Sequence, residues 1–120
     1  VVEGICVVGL RRLREVVVPD GIKRIGDHWF CRSEVEAVRI LASVDDIGNE
    51  AFCQCRRLRR ITFAEGSKLE KIRSGCFAES GLETITIPSR VREIWNEAFS
   101  DCKSLKLVVL NEGLEILGTD

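Results

Sequence analysis

The stretch Leu82-Glu-Thr-Ile85-Thr-Ile87-Pro88-Ser-Arg-Val91-Arg-Glu-Ile94-Trp-Asn-Glu-Ala98-Phe99-Ser-Asp-Cys102 decides the fold. It opens on Leu82, followed by Ile85 and Ile87. This β-branched segment alternates at its end and reads as a short strand. Pro88 stops it, at a position where a strand tolerates proline. Val91 and Ile94 form a second, shorter extended stretch. Ala98-Phe99 then lead into a turn, and Cys102 sits three residues beyond the Phe.

Working outward, the same unit recurs on both sides. Leu13, Val35, Leu58, Leu82 and Leu105 open successive copies, at spacings of 22, 23, 24 and 23 residues. Each opening residue is followed by Val16, Val38, Ile61, Ile85 or Val108, and then by Val18, Ile40, Phe63, Ile87 or Leu110. The second apolar pair is Ile22/Ile25, Val44/Ile47, Leu69/Ile72, Val91/Ile94 and Leu114/Leu117. Phe30, Phe52, Phe77 and Phe99 come next, each with a small residue three positions on: Ser33, Cys55, Ser80, Cys102. Val2, Cys6, Val7 and Leu10 match the end of a further copy. The chain is therefore expected to be one array. It has a partial repeat at 1–12, repeats at 13–34, 35–57, 58–81 and 82–104, and a partial repeat at 105–120. Length differences fall in connections, chiefly Ala64-Glu65-Gly66-Ser67-Lys68, as a solenoid tolerates.

A single unit cannot bury its apolar ladder, whereas stacked units can. The expected fold is a repeat solenoid of short parallel β-strands, with short helical or 3-10 turns and a rise of ~4.8 Å per repeat. The four Phe should form one buried spine. Gly26, Gly48 and Gly118 follow the second stretch at a position expected to need a positive φ, and Gly21 and Gly113 are expected to help turn the chain.

The unit 82–102 resembles the BspA-like leucine-rich repeat family, and the resemblance covers essentially the whole chain. It implies a curved solenoid of the surface-antigen or adhesin type, which binds proteins or matrix and carries no catalytic residue in its motif.

The composition agrees with a globular chain. The 120 residues are 45% hydrophobic and 31% charged, too apolar for a disordered segment. With 18 Lys and Arg against 19 Asp and Glu, the net charge of -1 argues against a strongly basic nucleic-acid binder. No apolar run reaches the ~18 residues a membrane helix needs, so no membrane insertion is expected within this segment. The start at Val1-Val2 and the absence of Met suggest a mature product or a piece of a longer solenoid. Neither end shows a polar capping repeat, so end-to-end self-association is expected.

Charge follows the repeat. Arg14, Glu36, Arg59, Glu83 and Lys106 share one slot and alternate in sign, as do Arg24, Asp46, Lys71 and Glu93. Stacking sets these residues side by side, so the run Arg56-Arg57-Leu58-Arg59-Arg60 reads mainly as register control rather than a polyanion patch. Arg11, Arg12, Arg56 and Arg57 lie outside the columns and remain weak anion-site candidates.

Of the six Cys, Cys55 and Cys102 occupy the small slot, and Cys6 and Cys76 the slot before Phe. This makes them small buried hydrophobes. Cys31 and Cys53 share the slot after Phe in adjacent repeats, which leaves a disulfide open. Cys53-x-Cys55 lacks the spacing of a zinc knuckle, so no metal or other cofactor is expected. His28, the one His, has no catalytic partner in sequence, and the chain is expected not to be an enzyme.

Partners of a leucine-rich solenoid usually meet the sheet. The residues flanking the buried strand pair include Glu15, Arg39, Arg60, Thr62, Thr84 and Thr86, with Val17, Ala37, Leu107 and Val109 beside them. Such a mixed face suits a protein or a glycan and lacks the aromatic and basic interleaving of a nucleic-acid groove. Trp95 stands where other repeats place Gly, so it reads either as an exposed interface anchor or as packing on the neighbouring repeat. The expected function is a non-catalytic interaction scaffold, secreted or at a cell surface. The alternative is a cytoplasmic regulatory module attached to a signalling or enzymatic domain.

Overall fold

A computed structural model describes residues 15–111 and the backbone of 116–117. The expectations for Cys6, Arg11, Arg12, Arg14, Gly113 and Gly118 lie outside the described residues, as do those for the other residues before 15.

Each repeat contributes one longer and one shorter strand. The longer strands are β1 (Glu15–Val18), β3 (Ala37–Ile40), β5 (Arg60–Phe63), β7 (Thr84–Thr86) and β9 (Leu107–Val109). They form a five-stranded parallel sheet in the order β1-β3-β5-β7-β9. The shorter strands are β2 (Arg24–Ile25), β4 (Asp46–Ile47), β6 (Lys71–Ile72), β8 (Glu93–Ile94) and β10 (Ile116–Leu117). These split into a β2-β4 pair and a β10-β8-β6 sheet. The break between β4 and β6 falls at the repeat that carries two extra residues within 64–68. This stretch turns at Glu65-Gly66, between β5 and β6.

The register explains the burial. Val16 pairs with Val38, and Val38 with Ile61, so equivalent apolar residues stack in columns. Val38, Ile61, Ile85, Val18, Ile40 and Ile87 are buried. The columns fray at β9, an edge strand with one neighbour in this sheet. Val108 is half-buried and Leu110, expected inside, is 48% exposed. The Phe spine forms as expected. Successive rings from Phe30 to Phe99 stack at centroid distances of 4.8, 5.4 and 5.6 Å, with interplanar angles of 6–13°.

The corner that holds the spine differs from expectation. No helix of either kind occurs among the described residues. Residues 27–32 instead form overlapping turns with two interleaved sets of hydrogen bonds. The N–H groups of Trp29, Cys31 and Ser33 bond three residues back, to Gly26, His28 and Phe30. Those of His28, Phe30 and Arg32 bond forward, to the carbonyls of Asn49, Ala51 and Cys53 in the next repeat. A helix would point all its carbonyls along its own axis and leave none for the neighbour. Alternation is achieved by left-handed residues: His28 and Arg32, then Glu50 and Gln54, Gly75 and Glu79, Glu97 and Asp101. Left-handed backbone costs a non-glycine residue about 1–2 kcal/mol, and here the inter-repeat ladder offsets it. The positive φ therefore lies two residues beyond Gly26 and Gly48, which do not adopt it. These glycines answer a close approach: a Cβ on Gly48 would sit 2.6 Å from the Asp27 backbone N, and one on Gly26 would meet the Trp29 ring.

The small slot divides by connection length. In the two shorter connections, Ser33 and Ser80 accept the N–H of Val35 and Leu82, two residues on. In the longer ones, Cys55 and Cys102 donate from Sγ to the carbonyls of Phe30 and Phe77, at 2.8 and 3.0 Å. Burial pushes the Cys55 thiol up to about 12, so it stays a protonated donor.

Candidate functional site

Strand geometry builds the outward face. Successive side chains on a strand alternate between faces, so the partners of the buried columns form two exposed ones. In one column Glu15 pairs with Ala37, Ala37 with Arg60, Arg60 with Thr84 and Thr84 with Leu107. In the other, Val17 pairs with Arg39 and Arg39 with Thr62, and the column continues through Thr86 and Val109. Glu15, Arg39, Arg60, Thr62, Thr84 and Thr86 are all exposed and share this face. Glu15, Arg39, Arg60 and Thr62 meet around a shallow hollow of about 210 Å³ over β1, β3 and β5.

The face has a polar centre and apolar margins. Val17 on β1 and Leu107 on β9 are each 55% exposed, and Val109 is 44% exposed. Arg39 and Arg60 are diagonal neighbours on β3 and β5. Neither has a carboxylate within 4.0 Å among the described residues.

The flank differs, because several of its charged side chains are engaged with one another. Asp46 bridges Arg24 at 2.9 Å and Arg73 at 3.0 Å. His28 meets Glu50 at 2.7 Å, and Arg56 meets Glu79 at 3.3 Å. Arg56 is therefore not the free anion site its sequence suggests. In the column of Arg24, Asp46, Lys71 and Glu93, Arg24 pairs with Asp46 and Lys71 with Glu93, but the ladder is broken between Asp46 and Lys71. Asp46 takes Arg73 as its second partner rather than Lys71. The other column is joined through backbone, with Arg59 N–H donating to Glu36 O and Glu83 N–H to Arg59 O. Among the described residues its side chains form no ion pair within 4.0 Å.

Trp95 belongs to the flank, apart from the other six candidate residues. Its ring is half-buried, with Lys71 Nζ and the Arg73 guanidinium each 5.4 Å from the centroid. Its Nε1 donates to Glu93 at 2.7 Å. Of the two readings left open for Trp95, these contacts favour packing on the neighbouring repeat, each cation–π contact contributing about 0.5–1 kcal/mol at such a site.

Asp46 makes this flank sensitive to acid. Burial pushes its carboxyl up, but the hydrogen bonds and charges of Arg73 and Arg24 outweigh burial and leave it below its ordinary value. A carboxyl with a lowered folded value stabilises the fold above its unfolded value, and that contribution is lost as pH falls through the folded value. Tm measured from about pH 5 down to pH 2 should fall more steeply for the parent than for Asp46→Asn. Parallel curves would show that the bridge contributes nothing.

Among the described residues no group of three or more His, Cys, Asp or Glu is arranged to hold a metal ion. No helix there is long and apolar enough to cross a membrane.

No curated protein shows significant similarity to this chain. Among solved structures, a leucine-rich repeat protein from Bacteroides ovatus superposes with a TM-score of 0.83 at 26% identity. That match covers 93% of this chain and 29% of the other. The pneumococcal vaccine antigen PcpA gives 0.72 at 29% identity, covering 83% and 31%. A leucine-rich cell surface protein from Faecalibacterium prausnitzii gives 0.60 at 25% identity, covering 84% and 36%. The chain thus spans about a third of the length of the proteins it resembles. Residues 8–120 match the BspA type leucine rich repeat region in six copies. With the parallel register and the stacked Phe spine, that match establishes that the chain belongs to the BspA-type leucine-rich repeat family.

Proposed function

We propose that the chain is a non-catalytic scaffold at a cell surface that binds a protein partner through its five-stranded sheet. One contrast carries this reading. Arg24, Arg56 and Arg73 on the flank pair with carboxylates, while on the sheet face Arg39 and Arg60 have no ion-pair partner among the described residues and lie between apolar margins. Arginine is enriched at interfaces and among their hot spots, and the exposed apolar side chains add area to bury. The surface location rests on PcpA and the Faecalibacterium protein, a vaccine antigen and a cell surface protein. The contact set is Glu15, Arg39, Arg60, Thr62, Thr84 and Thr86, with Val17 and Leu107 at its margins. Trp95 lies outside it.

A panel of purified extracellular-matrix proteins, tested by biolayer interferometry against the full chain, checks the proposal. At least one should bind. Arg39→Ala with Arg60→Ala should weaken that binding about tenfold or more, as loss of an arginine hot spot does, and Trp95→Ala should leave it within about twofold. Binding to sulfated glycans alone would replace the protein partner with a polyanion. Binding that ignores the sheet-face variants would move the site elsewhere.

A further inference from the structure

The corner between β2 and β3 lies directly on the corner between β4 and β5, and side chains there contact their counterparts 22 residues on. His28 bonds to Glu50 at 2.7 Å, Phe30 stacks on Phe52 at 4.8 Å and Arg32 bonds to Gln54 at 2.9 Å. Cys31 and Cys53 occupy the same position within this set. Two backbone bonds bracket them, Phe30 N–H to Ala51 O at 2.8 Å and Arg32 N–H to Cys53 O at 2.9 Å. The two cysteines are thereby held level, in the same slot of two directly stacked corners. Both are free thiols in this structure. The next two corners carry Ala78 and Ser100 in this slot, so the described thiol pair is confined to the first two. Cys55 is nearby but committed, its Sγ donating to Phe30 O at 2.8 Å.

We infer that Cys31 and Cys53 form an oxidisable dithiol, which a low-molecular-weight disulfide closes into an intramolecular bond that staples these two corners. Cys31 is half-buried and reachable, whereas Cys53 is buried. The Cys31 thiolate attacks one sulfur of the small disulfide and expels one thiolate, giving a mixed disulfide. The Cys53 thiolate then attacks the Cys31 sulfur and expels the second thiolate. The two protons of the protein thiols leave on the two small thiols. The protein is oxidised by two electrons, and the small disulfide is reduced. Burial and the adjoining Cys31 push the Cys53 thiol up to about 12, so Cys53 waits as the resolving group while Cys31 receives the reagent. Stacked equivalent residues fall within the Cα separation a disulfide spans, and closing a loop of this length stabilises a fold.

Oxidised glutathione is the probe. The full chain is incubated with it, quenched with acid and N-ethylmaleimide, and mapped by peptide mass spectrometry. A Cys31–Cys53 crosslink should dominate, with a loss of two hydrogens and a Tm several degrees higher that reductant reverses. Cys53→Ser should stop at a glutathione adduct on Cys31, and Cys31→Ser should form neither product. Cys102→Ser should close like the parent, since Ser33 and Ser80 already fill that slot in other repeats. Crosslinks spread over other pairs, or Cys31 and Cys53 both recovered as maleimide adducts from folded protein, would overturn the inference.

Discussion

Replacing Phe52 by Ala is expected to bring the chain close to unfolding. Phe52 is fully buried, with Phe30 at 4.8 Å on one ring face and Phe77 at 5.4 Å on the other. Truncating a buried Phe costs about 3–5 kcal/mol, against a total stability of about 5–15 kcal/mol for a typical domain. The loss is greater here than at an isolated core site, because two aromatic contacts vanish together and neither neighbour can close the gap. The inter-repeat backbone bonds hold Phe30 and Phe77 on opposite sides of the missing ring. Repeats are coupled only to their neighbours, so the cut should also divide the array into two weakly connected halves. Thermal unfolding followed by far-ultraviolet circular dichroism should show Tm lowered by about 10 °C or more and a broader transition. Phe99→Ala should be milder, since Phe99 is half-buried and stacks on one described neighbour. Equal effects at the two positions would mean that the stack does not carry the coupling.

Much of this arrangement is legible in the sequence because the slots repeat. One copy of a pattern is ambiguous, but five openings from Leu13 to Leu105 average out local exceptions. The alternation Ile85-Thr86-Ile87 assigns faces, and the common register carries that assignment to every strand. The outward columns, the Phe spine and the Cys31–Cys53 slot all follow from it. What does not follow is whatever depends on contacts with one particular neighbour. The left-handed corner position is filled by His28, Glu50, Gly75 and Glu97, a set with no shared chemistry. The visible glycines, two residues earlier, report a steric contact instead. The switch of Asp46 from Lys71 to Arg73 is of the same kind. Both cations lie 5.4 Å from the Trp95 ring, and the sequence does not show which of them Asp46 takes. For the candidate site, the sequence places six residues on one face. It does not show that, among the described residues, Arg39 and Arg60 have no ion-pair partner while Arg24, Arg56 and Arg73 on the flank do.

Gly81→Ala is expected to give the second large loss, through backbone rather than core. Gly81 lies in a connection one residue shorter than its counterpart at Arg56-Arg57, between the Ser80 cap and Leu82. The shorter path draws the chain against the preceding repeat, where Gly81 N–H donates to Cys55 O at 3.2 Å. A Cβ there would stand 2.3 Å from Arg56 O, 3.1 Å from Arg56 C and 3.2 Å from Leu58 O. All three are backbone atoms, so no side chain can rotate away. Relief requires the two connections to separate, which stretches the Cys55 bond and disturbs Ser80 Oγ, the acceptor for Leu82 N–H. Overpacking of this kind costs about 1–3 kcal/mol, occasionally more. Glu34→Ala provides the control. Glu34 holds the matching position in the other short connection, is exposed, and already carries a Cβ. Urea unfolding should lower the midpoint for Gly81→Ala with little change in slope, and leave Glu34→Ala near the parent. A parental midpoint for Gly81→Ala would mean that the connection relaxes freely, and the short repeat would then owe nothing to glycine.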